Sequence, residues 1–303
     1  MTDKQLVGFI GVGVMGRPMA INLMAKGIPL LAYDVNPDAM QAIRQAGAQT
    51  ASSVQDVCNR CRIVFTSMPS PAVFTQVLLG EAGVHTGTAV KIAVDLSTVG
   101  PRTTKAAAIG LRERGIELID APVSGGAAGA QKATLTVMVA GNQSAQDEVK
   151  PLLEVFGKLF AIGQEAGQAQ LLKLLNNMLS STAFAITAEA YVAGVKGGLD
   201  PQLMMDVINV SSGRSAASQE KFVRQVLPRS FDFGFPISSI CKDIGLAIEE
   251  CEALGVPMWV GSQARQLWKF ALKQDGAGKD MTELVTYLEQ WSGADPPPPV
   301  KKG

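Results

Sequence analysis

Gly11, Gly13 and Gly16 fall at the G-x-G-x-x-G spacing inside LVGFIGVGVMGRPMAINLMAKG, the stretch around which the chain is organised. Glycine at the first position permits a tight reversal, at the second it lets backbone approach a pyrophosphate, and at the third it lets a helix pack on a strand. The turn Gly11-Val12-Gly13-Val14-Met15-Gly16 would offer the free N–H groups of a helix start to phosphate oxygens. Asp34 stands 18 residues beyond Gly16, where an acidic side chain can accept from the hydroxyls of an adenosine ribose. An Asp there repels a 2′-phosphate, and Val35 and Asn36 supply no Arg to hold one, so the stretch favours NAD over NADP. A plain βαβ turn without a ligand uses similar glycines. Against it stand the apolar run before the turn, the amphipathic helix after it, and the second strand, Pro29 to Tyr33, leading to Asp34.

Two further groups have chemical use. In DAPVSGG, Ser124, Gly125 and Gly126 follow a strand and expose a hydroxyl and backbone N–H groups suited to a small carboxylate, although an ordinary Ser-Gly-Gly turn reads the same. Lys173 and Asn177 lie four apart on one helical face, with Asn176 beside them. A lysine among Leu171, Leu172, Leu174 and Leu175 either snorkels to solvent or points at something polar. A nicotinamide enzyme acting on an alcohol or carbonyl needs a group that exchanges a proton with the substrate oxygen. The single histidine, His85, sits in a Gly-Val-His-Thr-Gly loop far from the expected strand ends, and no Tyr-x-x-x-Lys is present. Lysine remains, and Lys173 is the one held beside two amides.

The elements that must position these groups alternate through the first half. After Asp34 a helix is expected from Pro37 to Ala46, capped by Asn36 with Pro37 at its first position, and strands at Ile63 to Met68, Lys91 to Leu96, Ile116 to Ile119, Thr134 to Ala140 and Lys158 to Ile162, with helices between most of them. A doubly wound parallel sheet is the economical arrangement, with ligands at the carboxyl ends of its strands. Beyond Gly163 the pattern changes. Gln168 to Lys196 reads as one helix of roughly 40 Å, apolar around most of its circumference, and only helices follow. The expected organisation is a dinucleotide-binding domain over 1–163, an all-helical domain over 164–291 supplying the other wall of a cleft, and a disordered Pro-rich tail over 292–303.

Composition bounds the partners. The chain has 303 residues, 47% of them hydrophobic, with 27 basic and 27 acidic residues. No basic tract exceeds Lys301 and Lys302, so nothing points to nucleic acid or an anionic membrane. The N-terminus passes through Asp3 and Lys4 straight into a strand, which does not read as a signal peptide, and no uncharged apolar run reaches the roughly 18 residues of a membrane span. A soluble cytoplasmic protein is expected. Cys58 and Cys61 form a C-x-x-C, but Cys241 and Cys251 are too widely spaced to complete a zinc site, so no metal is expected.

Four motifs in order, GFIGVGVMGRPMAINL, DAPVSGG, GQAQLLKLLNN and the KD of CKDIGLA, resemble the β-hydroxyacid dehydrogenases over about residues 6 to 290. The resemblance implies that Lys173 is the catalytic lysine, that Asn177 positions substrate, and that Ser124, Gly125 and Gly126 bind its carboxylate. It further implies that Met68, Pro69 and Thr98 line the cofactor and that Lys242 with Asp243 closes over its nicotinamide end. An exposed ion pair is the plainer reading of Lys242. SSGRSAASQ from Ser211 resembles a pocket segment of 3-hydroxyisobutyrate dehydrogenases, with Ala216 and Ala217 where some of those carry an aromatic. That departure suggests a roomier or more polar pocket, as for hydroxylated four-carbon acids. A homodimer or homotetramer is implied as well. Two alternatives keep the scaffold: an imine reductase, against which Lys173 and Asp34 argue, and a non-catalytic relative such as a chromatin-associated reader, which should lack the lysine.

Overall fold

The computed structural model describes residues 5–300, and the terminal expectations placed on Asp3, Lys4, Lys301 and Lys302 lie outside the described residues. The chain divides into two compact units, one ending at Lys173 and the other beginning at Leu174.

The first unit is built on strands β1 (Val7–Ile10), β2 (Leu30–Tyr33), β3 (Gln49–Thr50), β4 (Ile63–Thr66), β5 (Ile92–Asp95), β6 (Glu117–Asp120), β7 (Val123–Ser124), β8 (Leu135–Ala140) and β9 (Gly157–Gly163). Its helices are α1 (Gly16–Ala25), α2 (Pro37–Gln45), α3 (Val54–Arg60), α4 (Pro71–Leu79), α5 (Pro101–Arg112), α6 (Gly126–Lys132) and α7 (Gln143–Leu153). Strand order is β3-β2-β1-β4-β5-β6-β8-β7, with β9 beside β8. All pairings from β3 to β6 are parallel, the Rossmann-like arrangement expected. The parallel run stops there, because β8 lies antiparallel to both β6 and β7 before β9 returns parallel to it. Between β7 and β8 the chain has only α6, whose seven residues rise roughly 10 Å, too little to carry it back along the sheet to a parallel start.

Alternation along each strand feeds two cores. Phe9, Phe65, Val94 and Ile119 face one side of the sheet with Met19 and Leu23 of α1, while Ile10, Val64, Ala93 and Leu118 face the other with Phe74, Ala107 and Leu111. The helix starts follow local chemistry: Asn36 accepts from Asp38 N–H at the head of α2, and Ser70 caps α4.

Helix α8 (Gln168–Lys196) spans the expected residues. Its first residues cluster with the sheet, so the division falls at Lys173 rather than at Gly163. By length and mean hydropathy α8 could cross a membrane, yet its uncharged run, Leu174 to Ala188, is 15 residues, and Phe184, Ala188 and Tyr191 are buried in the core of the second unit. The expectation of burial around the circumference needs correction: Leu172, Leu179 and Ile186, seven apart, are 39%, 67% and 59% exposed.

The second unit adds α9 (Pro201–Val210), α10 (Ile237–Ala253), α11 (Trp259–Lys273) and α12 (Leu284–Ser292), around a core that includes Phe222, Ile244 and Trp268. Ala217–Val226 is π-helical, closed by Leu227 N–H donating to the Phe222 carbonyl. Ala294 and Val300 pack on this core and Val300 N–H donates to the Leu227 carbonyl over 2.9 Å, so the prolines bridge two anchored ends.

Candidate functional site

Gly11 leaves β1 with φ +89°, and a Cβ there would stand 2.3 Å from the Ser67 carbonyl oxygen. At Gly16 a Cβ would lie 1.9 Å from the Gly11 carbonyl oxygen, so α1 can start against β1 only without a side chain. Gly13 differs: nothing lies within 4 Å of a Cβ built there, and both it and Val14 are exposed. The fold does not require glycine at this position, whereas a pyrophosphate approaching the backbone would. Asp34 is fixed at the end of β2 by two backbone donors, Val12 N–H on Oδ2 and Asn36 N–H on Oδ1, each at 2.8 Å. Its carboxylate therefore sits beside the glycine turn with lone pairs remaining for other donors. These residues fit the adenosine and pyrophosphate end of a dinucleotide.

The carboxyl ends of β4, β5 and β6 are joined by buried polar groups that the sequence reading left unassigned. Asp95 Oδ1 accepts from the hydroxyls of Thr66 (2.8 Å) and Ser97 (2.6 Å), and Ser97 Oγ accepts from Met68 N–H (2.7 Å). Met68 and Thr98 are half-buried and Pro69 is exposed at these ends. Gln170, in the first turn of α8, accepts from Val99 N–H and Gly100 N–H and donates to Ser97 O. Asp120 accepts from Gly167 N–H, Gln170 N–H and Gln170 Nε2. Burial pushes the Asp120 carboxyl up to about 7, with the Asp95 charge adding to the rise and the Gln170 and Gly167 hydrogen bonds opposing it. An acidic residue at the carboxyl end of a strand was the available signal for both carboxylates. Gln170 lay inside a quoted motif, with nothing in its residue type to single it out.

Lys173 follows Gln170 by three positions on α8 and is 7% exposed, so it does not snorkel to solvent. Ser124 ends β7 half-buried, and Gly125 (φ +133°) and Gly126 (φ +63°) are exposed where α6 begins. The segment is thus a strand-to-helix junction, with glycine required at both positions by the backbone.

In the second unit Asn177, one turn beyond Lys173 on α8, donates to Asp243 Oδ2 over 2.7 Å. Lys242 pairs with Asp243 Oδ1 at 3.1 Å. The Asp243 carboxylate is buried and shared between Lys242 and Asn177. Of the two alanines in the Ser211 segment, Ala217 is buried in this unit's core and Ala216 is exposed.

Cys58 and Cys61 are free and buried, and burial pushes their thiols up to about 12 and about 11, away from the reactive thiolate. No cluster of metal-ligating side chains is present among the described residues. His85 is half-buried, its Nδ1 3.2 Å from the Leu78 carbonyl oxygen.

Residues 6–164 match the NAD-binding domain of 6-phosphogluconate dehydrogenase, and residues 167–288 match the NAD-binding family of NADP-dependent 3-hydroxyisobutyrate dehydrogenase. The chain belongs to the β-hydroxyacid dehydrogenase family. It is 36% identical to 2-(hydroxymethyl)glutarate dehydrogenase of Eubacterium barkeri, over 95% of this chain and 96% of that one. It is likewise similar to the structure of Mycobacterium tuberculosis 3-hydroxyisobutyrate dehydrogenase with L-serine, at 30% identity and a TM-score of 0.83, covering 94% of this chain and 99% of that one. Psf3 in complex with NADP+ and 2-OPP aligns at 27% identity and a TM-score of 0.82, covering 93% and 99%. The β-hydroxyacid dehydrogenase described here is accordingly an oxidoreductase with a nicotinamide cofactor and a small-molecule substrate.

Proposed function

We propose that this dehydrogenase moves hydride between NAD and a small β-hydroxy acid, with Lys173 exchanging the proton. The acid belongs with 3-hydroxyisobutyrate, glycerate or tartronate semialdehyde, threonate and the hydroxymethyl dicarboxylate for which one relative is named. The observation that carries the reading is the burial of Lys173 on the turn of α8 that Gln170 and Asp120 tie to the ends of β5 and β6. Strand ends are where a doubly wound sheet holds its ligands.

When bound, the nicotinamide accepts or supplies the hydride. In oxidation, neutral Lys173 takes the substrate hydroxyl proton; in reduction, its ammonium returns a proton to the carbonyl oxygen. Ser124 and the backbone N–H groups of Gly125 and Gly126 hold the substrate carboxylate, and Asn177, steadied by Asp243, orients its hydroxyl. Asp34 supports NAD over NADP, since a buttressed carboxylate beside the glycine turn disfavours a 2′-phosphate.

The exposed stripe of Leu179 and Ile186, with Trp259 and Val260 also exposed on α11, supports a homo-oligomer formed through the helical unit. Light scattering that returned a monomer mass would remove that part of the reading. A panel of short β-hydroxy acids assayed with NAD and with NADP, on wild type and K173A, tests the rest. Wild type should turn over at least one acid, and K173A should lose kcat by ~10²-fold or more while its Kd for NADH stays within about twofold. Near-normal turnover by K173A would reject Lys173.

A further inference from the structure

Helices of the first unit start in different ways. Helices α2 and α4 are capped locally, by Asn36 and Ser70 immediately before them. Helix α8 instead takes its cap from Asp120, 47 residues earlier at the end of β6, whose Oδ2 accepts from Gly167 N–H at 2.8 Å and Gln170 N–H at 3.1 Å. A local cap stabilises a helix end, whereas a carboxylate borrowed from the sheet also fixes where that end sits. Gln170 completes the attachment. Its Oε1 accepts from Val99 N–H (2.9 Å) and Gly100 N–H (3.1 Å), and its Nε2 donates to Ser97 O (2.9 Å) and Asp120 Oδ1 (3.0 Å). Both amide hydrogens and both carbonyl lone pairs are used, so the side chain has one orientation.

We propose that Gln170 and Asp120 are positioning residues for proton transfer, holding the first turn of α8 so that Lys173 has a fixed place against the ends of β5 and β6. The proposal rests on Lys173 being the proton-exchanging group. Both side chains are fully buried, and burial pushes the Asp120 carboxyl up to about 7, so enclosing its charge carries a cost that its hydrogen bonds only partly offset. Fully satisfied buried networks specify one geometry. Geometry matters here: a misplacement of ~1 Å at a reacting group can cost ~10²-fold in rate. The bonds of Gln170 to Ser97 O and Val99 N–H reference this turn of α8 to the end of β5.

The test uses Q170M, which keeps the volume and removes every polar contact, together with D120N, Q170E and the D120N/Q170E pair. In the pair, the Asn amide donates to the Glu carboxylate, restoring the side-chain bond with its polarity reversed. All are assayed well below their Tm. Q170M should lose kcat by ~10-fold or more with KM for NAD within about twofold, and the pair should exceed Q170E in kcat by about fivefold. A kcat for Q170M within about twofold of wild type, or a pair no better than Q170E, overturns the proposal. The reading of Lys173 fails separately, through an active K173A or a wild type inert toward every hydroxy acid. In that second case Lys173, reductively methylated with ¹³C-formaldehyde, is followed by NMR in wild type and Q170M; a displaced titration midpoint supports the positioning role, and identical titrations reject it.

Discussion

The side-chain amide of Asn177 donates to one oxygen of Asp243 over 2.7 Å, while the other oxygen lies 3.1 Å from the Lys242 ammonium. One buried carboxylate thereby answers both the residue proposed to orient substrate and the lysine expected at the nicotinamide end. D243A would leave the Asn177 amide without its acceptor, at about 1–3 kcal/mol. It should lower both Tm and kcat. D243N can still accept from Asn177 but loses the charge facing Lys242, so it should keep most of the stability and lose part of the activity. Thermal melts beside steady-state kinetics separate the two; equal Tm losses in both variants would show that the charge, not the amide bond, holds this corner together.

The glycine turn predicts opposite outcomes at two neighbouring positions. G16A forces a Cβ to 1.9 Å from the Gly11 carbonyl oxygen and should unfold or strongly destabilise the first unit. G13A meets no atom within 4 Å and should melt close to wild type. Its defect should appear in the cofactor, with KM for NAD rising ~10-fold or more as the methyl blocks the pyrophosphate. A G13A protein with normal KM would mean that the phosphates do not pass over this residue.

Much of this architecture was legible because it is local. The strand, turn and helix around Gly11 to Gly16, the Asn36 cap and the full length of α8 follow from residue type and spacing within a few turns of chain. What escaped depends on partners distant in sequence. Nothing near Gln170 announces bonds to residues 97, 99, 100 and 120, and nothing in the proline run after Ser292 announces that Val300 returns to Leu227. The antiparallel β8 was missed for the opposite reason: its apolar pattern suits either direction, and only the shortness of α6 decides.

Cofactor choice is tested at Asp34. Its oxygens are held by Val12 N–H and Asn36 N–H, so D34S removes a pre-positioned acceptor with little rearrangement expected of the strand. Losing hydrogen bonds to a charged group at about 1.5–3 kcal/mol should reduce kcat/KM with NAD by roughly 10- to 100-fold. Adding V35R, at an exposed position, should raise kcat/KM with NADP above that of D34S alone. An unchanged NAD to NADP ratio in both variants would place the ribose elsewhere.

Asp120 gives the protein a pH dependence of unusual sign for a carboxylate. Its folded pKa, about 7, lies above the unfolded 3.8, so between those values the folded state binds the extra proton. Stability therefore falls as pH rises through that window, and the contribution is fully present only below the unfolded value. D120N cannot titrate. The stability of wild type relative to D120N, from urea unfolding at pH 5, 6, 7 and 8, should fall by on the order of 2 kcal/mol between pH 5 and 7 and then level off. Because Asp95 is the neighbouring buried carboxylate and adds to the rise, D95N should move the levelling point toward lower pH. Parallel wild-type and D120N curves from pH 5 to 8 would show that Asp120 keeps its charge throughout, the three N–H donors outweighing its burial.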